Sequence, residues 1–348
     1  MATVKITESL FGITKNQNEI KKYTLSTSDG FEVALINYGA TIQSIRQPDK
    51  YNQITEITLG YDNLQGYIDD KCFFGCTVGR VTGRVKNGRF ELDGIVYDLP
   101  KTDATTKHYL HGVFNKRVWD SSTENGDTVV FKYQSPDGES GFPGRVNVTV
   151  KYILTNDHRL TLDFHATTTE PTPINMTNHV YFNLAGDASG SILDHQLMGI
   201  IFVFVVLLII FLIDFTFYLG EIASVENTPY DFRTLTPIGD RINESFDGYD
   251  ITLIVDGDGK RPLGKLLHEQ SGRAITIEST QKCLHVYTGN FLDGGKGRKG
   301  ATYNKHDGLC LETQNYSGSV NNQPLFPSII LRPDKEYHEQ TTFHFHLE

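Results

Sequence analysis

Two short stretches hold side chains that could move protons. In Asn175-Met-Thr-Asn178-His179-Val-Tyr181-Phe-Asn183-Leu184 a histidine sits among amides and hydroxyls. Such neighbours can orient an imidazole as an acid or a base, whereas a histidine on a plain apolar strand is usually structural. In Leu309-Cys310-Leu311-Glu312-Thr313-Gln314 a carboxylate interrupts an apolar stretch. A buried carboxylate must find partners or change its proton affinity, which is also how a general base is made; a Glu that merely faces solvent from an edge strand is the bland alternative. One histidine and one carboxylate are the minimum for coupled transfer of two protons. They do not name a reaction: an enzyme acting on a small polar ligand and a β-sandwich binding module both fit.

Two further clusters are less specific. Gly79-Arg80-Val-Thr-Gly83-Arg84-Val85 places two arginines between glycines. It lacks the Lys-Ser/Thr and the glycine spacing of a phosphate loop, so composition alone favours a turn with two solvated arginines over a ligand site. His108-Tyr-Leu110-His111-Gly112 has histidines three apart, a ligand spacing that means something on a helix but not in strand and turn surroundings. Trp119, the only tryptophan, is more readily core than site. Cys72 and Cys76 are spaced C-x3-C without a second ligand pair, so the four cysteines read as buried free thiols rather than a metal site or a disulfide framework.

The elements that must carry these residues are strands. Phe31 to Ile36, Glu56 to Gly60, Thr128 to Tyr133, Val146 to Leu154, Leu160 to Thr167 and Ala274 to Ser279 are short and rich in β-branched or aromatic residues. Ser28-Asp-Gly30, Asn87-Gly88, Asp93-Gly94, Asn125-Gly126, Pro136-Asp-Gly138 and Asp256-Gly257 punctuate them, and residues 88–97 read as one hairpin with Asp93-Gly94 at its tip. No amphipathic pattern longer than two helical turns, no repeat and no linker stands out. The expected architecture is all-β, a large antiparallel β-sandwich formed by residues 1–348 as a single domain.

Composition narrows the partners. The chain has 348 residues, 39% hydrophobic and 11% aromatic, and a net charge of −10 without a long Lys/Arg run, which disfavours nucleic acid. The first residues lack the apolar core of a signal peptide, and with reduced cysteines this points to the cytoplasm. Ile200 to Ile213 is an anomaly: fourteen consecutive apolar residues, short for a membrane span of about 20 and without flanking Lys or Arg. A strand or strand pair buried on both faces is one reading; no membrane role is expected. The other is a non-native insert covering residues 199–219, since Phe, Val, Leu and Ile codons share U at the second position and a T-rich non-coding stretch read in frame would yield such a run. A mature transcript that encodes these residues would end that second reading.

In these clusters and between them the chain resembles the galactose mutarotase (aldose 1-epimerase) family, in the family's order and over nearly its whole length. The resemblance rests on Asn37-Tyr-Gly-Ala-Thr-Ile, Gly75-Cys-Thr-Val-Gly-Arg-Val-Thr-Gly-Arg84-Val, Leu110-His111-Gly112, Thr177-Asn-His179-Val-Tyr181-Phe-Asn-Leu-Ala-Gly186, Phe246-Asp-Gly-Tyr-Asp250, Tyr287-Thr-Gly-Asn-Phe-Leu-Asp-Gly294, Gly308-Leu-Cys-Leu-Glu312-Thr-Gln and Asn322-Gln-Pro-Leu-Phe-Pro327. It implies a β-sandwich with an open sugar cleft and no metal or cofactor. It implies Glu312 as general base toward the anomeric hydroxyl and His179 as general acid toward the ring oxygen. Arg84, His111, Tyr181, Asp250 and His285 are the implied substrate-binding residues. The implied partner is a monosaccharide, and the chain is expected to be a monomer or homodimer. Gly83 replaces an asparagine usual in the family, Ile251-Thr252 replaces His-Asn, and His285 stands where glutamine is common. Relatives also carry a mixed polar segment in place of the apolar run. Free hexoses such as glucose or galactose are the implied substrates. A hexose 6-phosphate epimerase drawing on Arg80, Lys116 and Arg117, and a sugar-binding homologue with weakened turnover, are the alternatives.

Overall fold

The computed structural model describes residues 4–199, 201–210, 215–245 and 247–348, and only the backbone for 201–210 and 215–221. Two large antiparallel sheets face each other. One has nine strands, in the order Asp120–Glu124, Thr128–Ser135, Val146–Leu154, Arg159–Thr168, Tyr337–Leu347, Arg273–Ser279, Arg261–His268, Gln196–Gly199 and Thr236–Pro237. The other has six, in the order Tyr181–Phe182, Leu309–Gln314, Cys283–Tyr287, Asp250–Val255, Ile201–Ile210 and Phe215–Ser224. A five-stranded sheet spanning Lys5–Ile13 to Ile54–Glu56 closes one side. Among the described residues the α-helix Leu64–Asp69 is a brief excursion, and no helix is long and apolar enough to cross a membrane.

Period-two alternation built the core. In Val146–Leu154, the valines, Tyr152 and Leu154 are buried and the residues between them are not. They pack with Leu160, Leu162 and Phe164 of the next strand against Leu253, Leu284, Val286, Leu309 and Leu311 of the six-stranded sheet. At 25 cal/mol per Å² of apolar area removed from water, such a cluster is the main stabilising term of the sandwich.

Most strand expectations match within a residue or two, and Arg89–Leu92 pairs with Ile95–Asp98 around Asp93-Gly94 as read. Glu56 to Gly60 does not form one ladder strand. The strand stops at Glu56, whose carboxylate turns back to accept from the backbone of Ile45 (2.9 Å) and from the Thr58 hydroxyl (2.6 Å). Thr58 then bridges to Phe182 of the other sheet, so the chain changes sheets where continuous pairing was expected. Within the apolar run, Ile201–Ile210 pairs with Phe215–Ser224 and with Asp250–Val255, the strand reading; Ile200 and residues 211–214 lie outside the described residues, as does Phe246 of the sixth motif.

Candidate active site

The six-stranded sheet has a dry face and a working face, and register decides which residue goes where. His285 lies opposite Glu312 on one side and Thr252 on the other. Two residues along, Tyr287 lies opposite Cys310 and Asp250, and Cys310 opposite Tyr181. Side chains alternate across a strand, so these two rows share one face. The residues between them, Leu309, Leu311, Leu284, Val286, Ile251 and Leu253, belong to the core. Ile251 is thereby a core residue, and of the altered Ile251-Thr252 pair it is Thr252 that stands on the working face.

Loops complete the site. Tyr109–Leu110 pairs with Arg84–Val85, so the Leu-His-Gly and glycine–arginine motifs lie side by side. His111 adopts a left-handed backbone (φ 61°) and is followed by Gly112, where a Cβ would sit 1.9 Å from the carbonyl oxygen of Gly79. Only glycine permits that approach. His179 lies in the link between Thr177–Asn178 and Tyr181–Phe182; its backbone N–H donates to Cys76 O (2.9 Å) and its carbonyl accepts from Gly75 (3.0 Å). Asn178 ties the same link to Gly75 O at 2.8 Å.

All seven side chains singled out from the sequence line one cleft of about 270 Å³: Arg84, His111, His179, Tyr181, Asp250, His285 and Glu312. The centre is the pair His179 and Glu312, with Nε2 and Oε1 3.6 Å apart and both side chains buried. Glu312 Oε2 is buried without a hydrogen-bond partner among the described residues. The other ring nitrogen of His179 meets Cys310 Sγ at 3.5 Å. Burial, with the Glu312 charge, pushes the Cys310 thiol well up, so it stays protonated. The His179 ring stacks against Tyr181 (5.1 Å) and Phe73 (5.8 Å). Tyr181 spends its hydroxyl on Cys72 O (2.9 Å) and therefore acts as a wall.

A second pair lies beside the first. Asp250 Oδ1 is 3.1 Å from His285 Nε2, and Asp250 Oδ2 is 3.9 Å from Arg84, whose Nε also donates to Asp103 (3.1 Å). Burial alone would raise the Asp250 pKa; the hydrogen bond and charge of His285, with the Arg84 charge, bring it below the usual range. Burial alone would lower that of His285; the bond to Asp250 and the Glu312 charge hold it above the ordinary value. His111 is pushed well down, by burial first and then by the neighbouring His179, Arg84 and His285. It is neutral, and its Nδ1 accepts from the Gly83 N–H (3.3 Å), so its proton is on Nε2 as a donor.

Some sequence readings need correction. Neither arginine of the glycine–arginine motif is solvated. Arg80 is buried and structural, donating to Ser135 and to the carbonyls of Pro136 and Pro143, while Arg84 reaches the cleft. Lys116 caps the carbonyls of Tyr67, Ile68 and Asp70, and Arg117 pairs with Glu139, so neither lines the cleft. Trp119 is core. The cysteines are free; Cys76, Cys283 and Cys310 are buried and Cys72 is half-buried at the cleft. Phe73, Ser317 and Phe291 line the cleft and were missed. Phe73 was hidden inside the C-x3-C spacing, and only the Tyr287 motif signalled Phe291.

Comparison with known proteins fits this geometry. The family model described as aldose 1-epimerase matches residues 21–344. A galactose mutarotase of Bos taurus is 37% identical over 350 residues, covering 98% of this chain and 99% of its own. An aldose 1-epimerase of Escherichia coli K12 is 32% identical, covering 93% and 95%. A solved aldose epimerase homologue from C. elegans superposes with a TM-score of 0.84 at 27% identity, over 100% of this chain and 99% of that one.

Proposed function

Because the chain belongs to the aldose 1-epimerase family, we propose that its isomerase activity is carried by Glu312 as general base and His179 as general acid, acting on a free hexose such as glucose or galactose. The supporting observation is the 3.6 Å separation of His179 Nε2 and Glu312 Oε1 in the cleft lining, with Glu312 Oε2 buried and unpartnered among the described residues. A hemiacetal carbon bears two oxygens. Glu312 takes the proton from the hydroxyl on C1 while His179 gives a proton to the ring oxygen, and the C1–O5 bond breaks to leave an aldehyde. C1 turns about its bond to C2. The O5 hydroxyl then adds to the other face of the carbonyl, returning its proton to His179 as the former carbonyl oxygen takes one from Glu312. Atoms and charge balance, and both residues return to their starting states.

The surrounding groups suit binding. His111 offers an N–H, Asp250 a carboxylate held between Arg84 and His285, and Phe73 and Tyr181 flat apolar surfaces. The cations named for a 6-phosphate are engaged elsewhere, which supports free hexoses over phosphorylated ones. An acid and a base that face each other in one cleft support turnover over passive binding. We read residues 1–348 as one catalytic domain, and the free thiols support a cytoplasmic setting. The test is the optical rotation of fresh α-glucose and α-galactose with wild type, His179→Ala and Glu312→Ala. The reading requires wild type to outpace buffer and each variant to lose most of that rate; a wild type no faster than buffer sinks it.

A further inference from the structure

Thr252 Oγ1 lies 2.9 Å from His285 Nδ1 and 2.8 Å from Ser317 Oγ, and Gln314 Nε2 donates to Ser317 Oγ at 2.6 Å. Thr82 donates to Gln314 Oε1 at 3.5 Å, which turns the amide nitrogen toward Ser317. All these side chains except Thr82 and Thr252 line the cleft, and Thr252 is fully buried behind it. A Cβ added at Gly83 would stand 3.7 Å from Ser317 Oγ, so a side chain there would touch that hydroxyl, which is itself buried in the cleft lining.

We propose that His285, Thr252 and Ser317 form a hydroxyl chain that fixes the hydrogen-bonding polarity of the cleft wall at Ser317, with its direction set by the proton on His285. Counting hydrogens carries the argument. With His285 doubly protonated, Nε2–H donates to Asp250 and Nδ1–H to Thr252. The Thr252 hydroxyl must then donate to Ser317. Ser317 already accepts from Gln314, so both of its lone pairs are used and its own hydrogen points into the cleft. Once His285 loses the Nδ1 proton, Thr252 donates back to Nδ1 and Ser317 donates back to Thr252. The wall then offers a lone pair in place of a hydrogen. The substrate group it serves is an acceptor oxygen of the sugar, and its affinity falls when the chain reverses.

The groups facing His285 favour the first state. Asp250 approaches from the strand on one side of His285 and Glu312 from the strand on the other, against Arg84 and the neutral His111 from the paired loops. The inference rests on the epimerase reading of the cleft, and Ser317, Thr252 and His285 are positioning residues in it.

The experiment is KM and kcat for mutarotation of glucose and galactose from about pH 6.5, the ordinary histidine value, upward, since His285 is held above it. For wild type, KM rises about 2- to 10-fold on the alkaline side, the size of one lost hydrogen bond, with a smaller change in kcat. Ser317→Ala shows the raised KM throughout, and Thr252→Val, which leaves Ser317 no acceptor but the sugar, keeps the low KM; neither shows an alkaline step, while Thr252→Ser restores it. A flat KM in an active wild type, or an unaltered step in Thr252→Val, overturns the chain alone. A wild type that never outpaces buffer overturns the epimerase reading and this inference with it.

Discussion

Two histidine–carboxylate pairs share one cleft and are built for opposite ends. His285 and Asp250 touch at 3.1 Å, and every nitrogen and oxygen of the pair has a neighbour: Thr252 behind the imidazole and Arg84 beside the carboxylate. His179 and Glu312 stand 3.6 Å apart, beyond a good hydrogen bond, with one carboxylate oxygen unpartnered among the described residues. A pair joined by its own hydrogen bond, with a second bond behind the imidazole, holds still. A pair kept just apart, with both side chains sheltered from solvent, is available to a third group that bonds to both. The same residue types therefore give a brace in one place and an acid–base couple in the other, and what differs is what else each atom can reach.

The largest effect expected from this contrast is on turnover. Glu312→Gln keeps shape but cannot take a proton, and kcat should fall by about 10²–10⁴-fold with little change in KM. Asparagine at position 179 should do much the same, and the double variant should lose far less than the product of the two, because the residues act in one step. Polarimetry of α-glucose decides it: a loss confined to KM would make this pair a binding element and erase the difference between the two.

Asp250→Asn attacks the brace. It leaves Arg84 and the His285 imidazole facing each other without their shared anion, and removing one partner of a buried ion pair costs about 3–5 kcal/mol. Lower stability in urea and a raised KM are expected, with a smaller loss in kcat than Glu312→Gln suffers. A kcat defect as large as that of Glu312→Gln would show that Asp250 is no mere brace.

The pH dependence of stability sharpens the same point. Asp250 has its pKa depressed on folding, so its contribution is present above the unfolded value, near 3.9, and is lost as pH falls through the folded one. His285 has its pKa raised, so its contribution is full below about 6.5 and is lost as pH rises through the folded value. Wild type should thus exceed Asp250→Asn most between about pH 4 and 6.5, with the gap narrowing on both sides. Urea melts across that range measure it, and a gap independent of pH would mean that the pair is not ionic.

Much of this was legible beforehand, for identifiable reasons. Val146–Leu154 has one wet face and one dry face, so its alternation is written in its residues. Leu309–Gln314 is buried on both faces, one against the core and one inside the cleft, so Glu312 stood out only as a charge in an apolar stretch. Arg80 and Arg84 are four apart in one motif yet one is structural and the other faces the cleft; that depends on residues such as Ser135 and Asp250, far away in the chain. Ser317 gave no signal and Thr252 stood out only as a departure from the family's His-Asn, since a hydroxyl acquires meaning here only through the His285 ring between strands.

The smallest effect tests the two-faced sheet itself. Ile251 and Thr252 are chain neighbours, and the register sends Ile251 to the core and Thr252 to the cleft side. Ile251→Val removes one methylene from a packed core and should cost about 0.5–1.5 kcal/mol of stability while leaving KM, kcat and their pH dependence alone. Thr252→Val, nearly equal in volume, should act on the kinetics instead: it leaves His285 Nδ1 and the Ser317 hydroxyl without their buried partner, at about 1–3 kcal/mol, and gives a KM that no longer follows pH. If instead Ile251→Val shifted the kinetics, strain would be passing through the sheet from its dry face to its working face, and the brace would have to be described as part of the core rather than as a wall of the cleft.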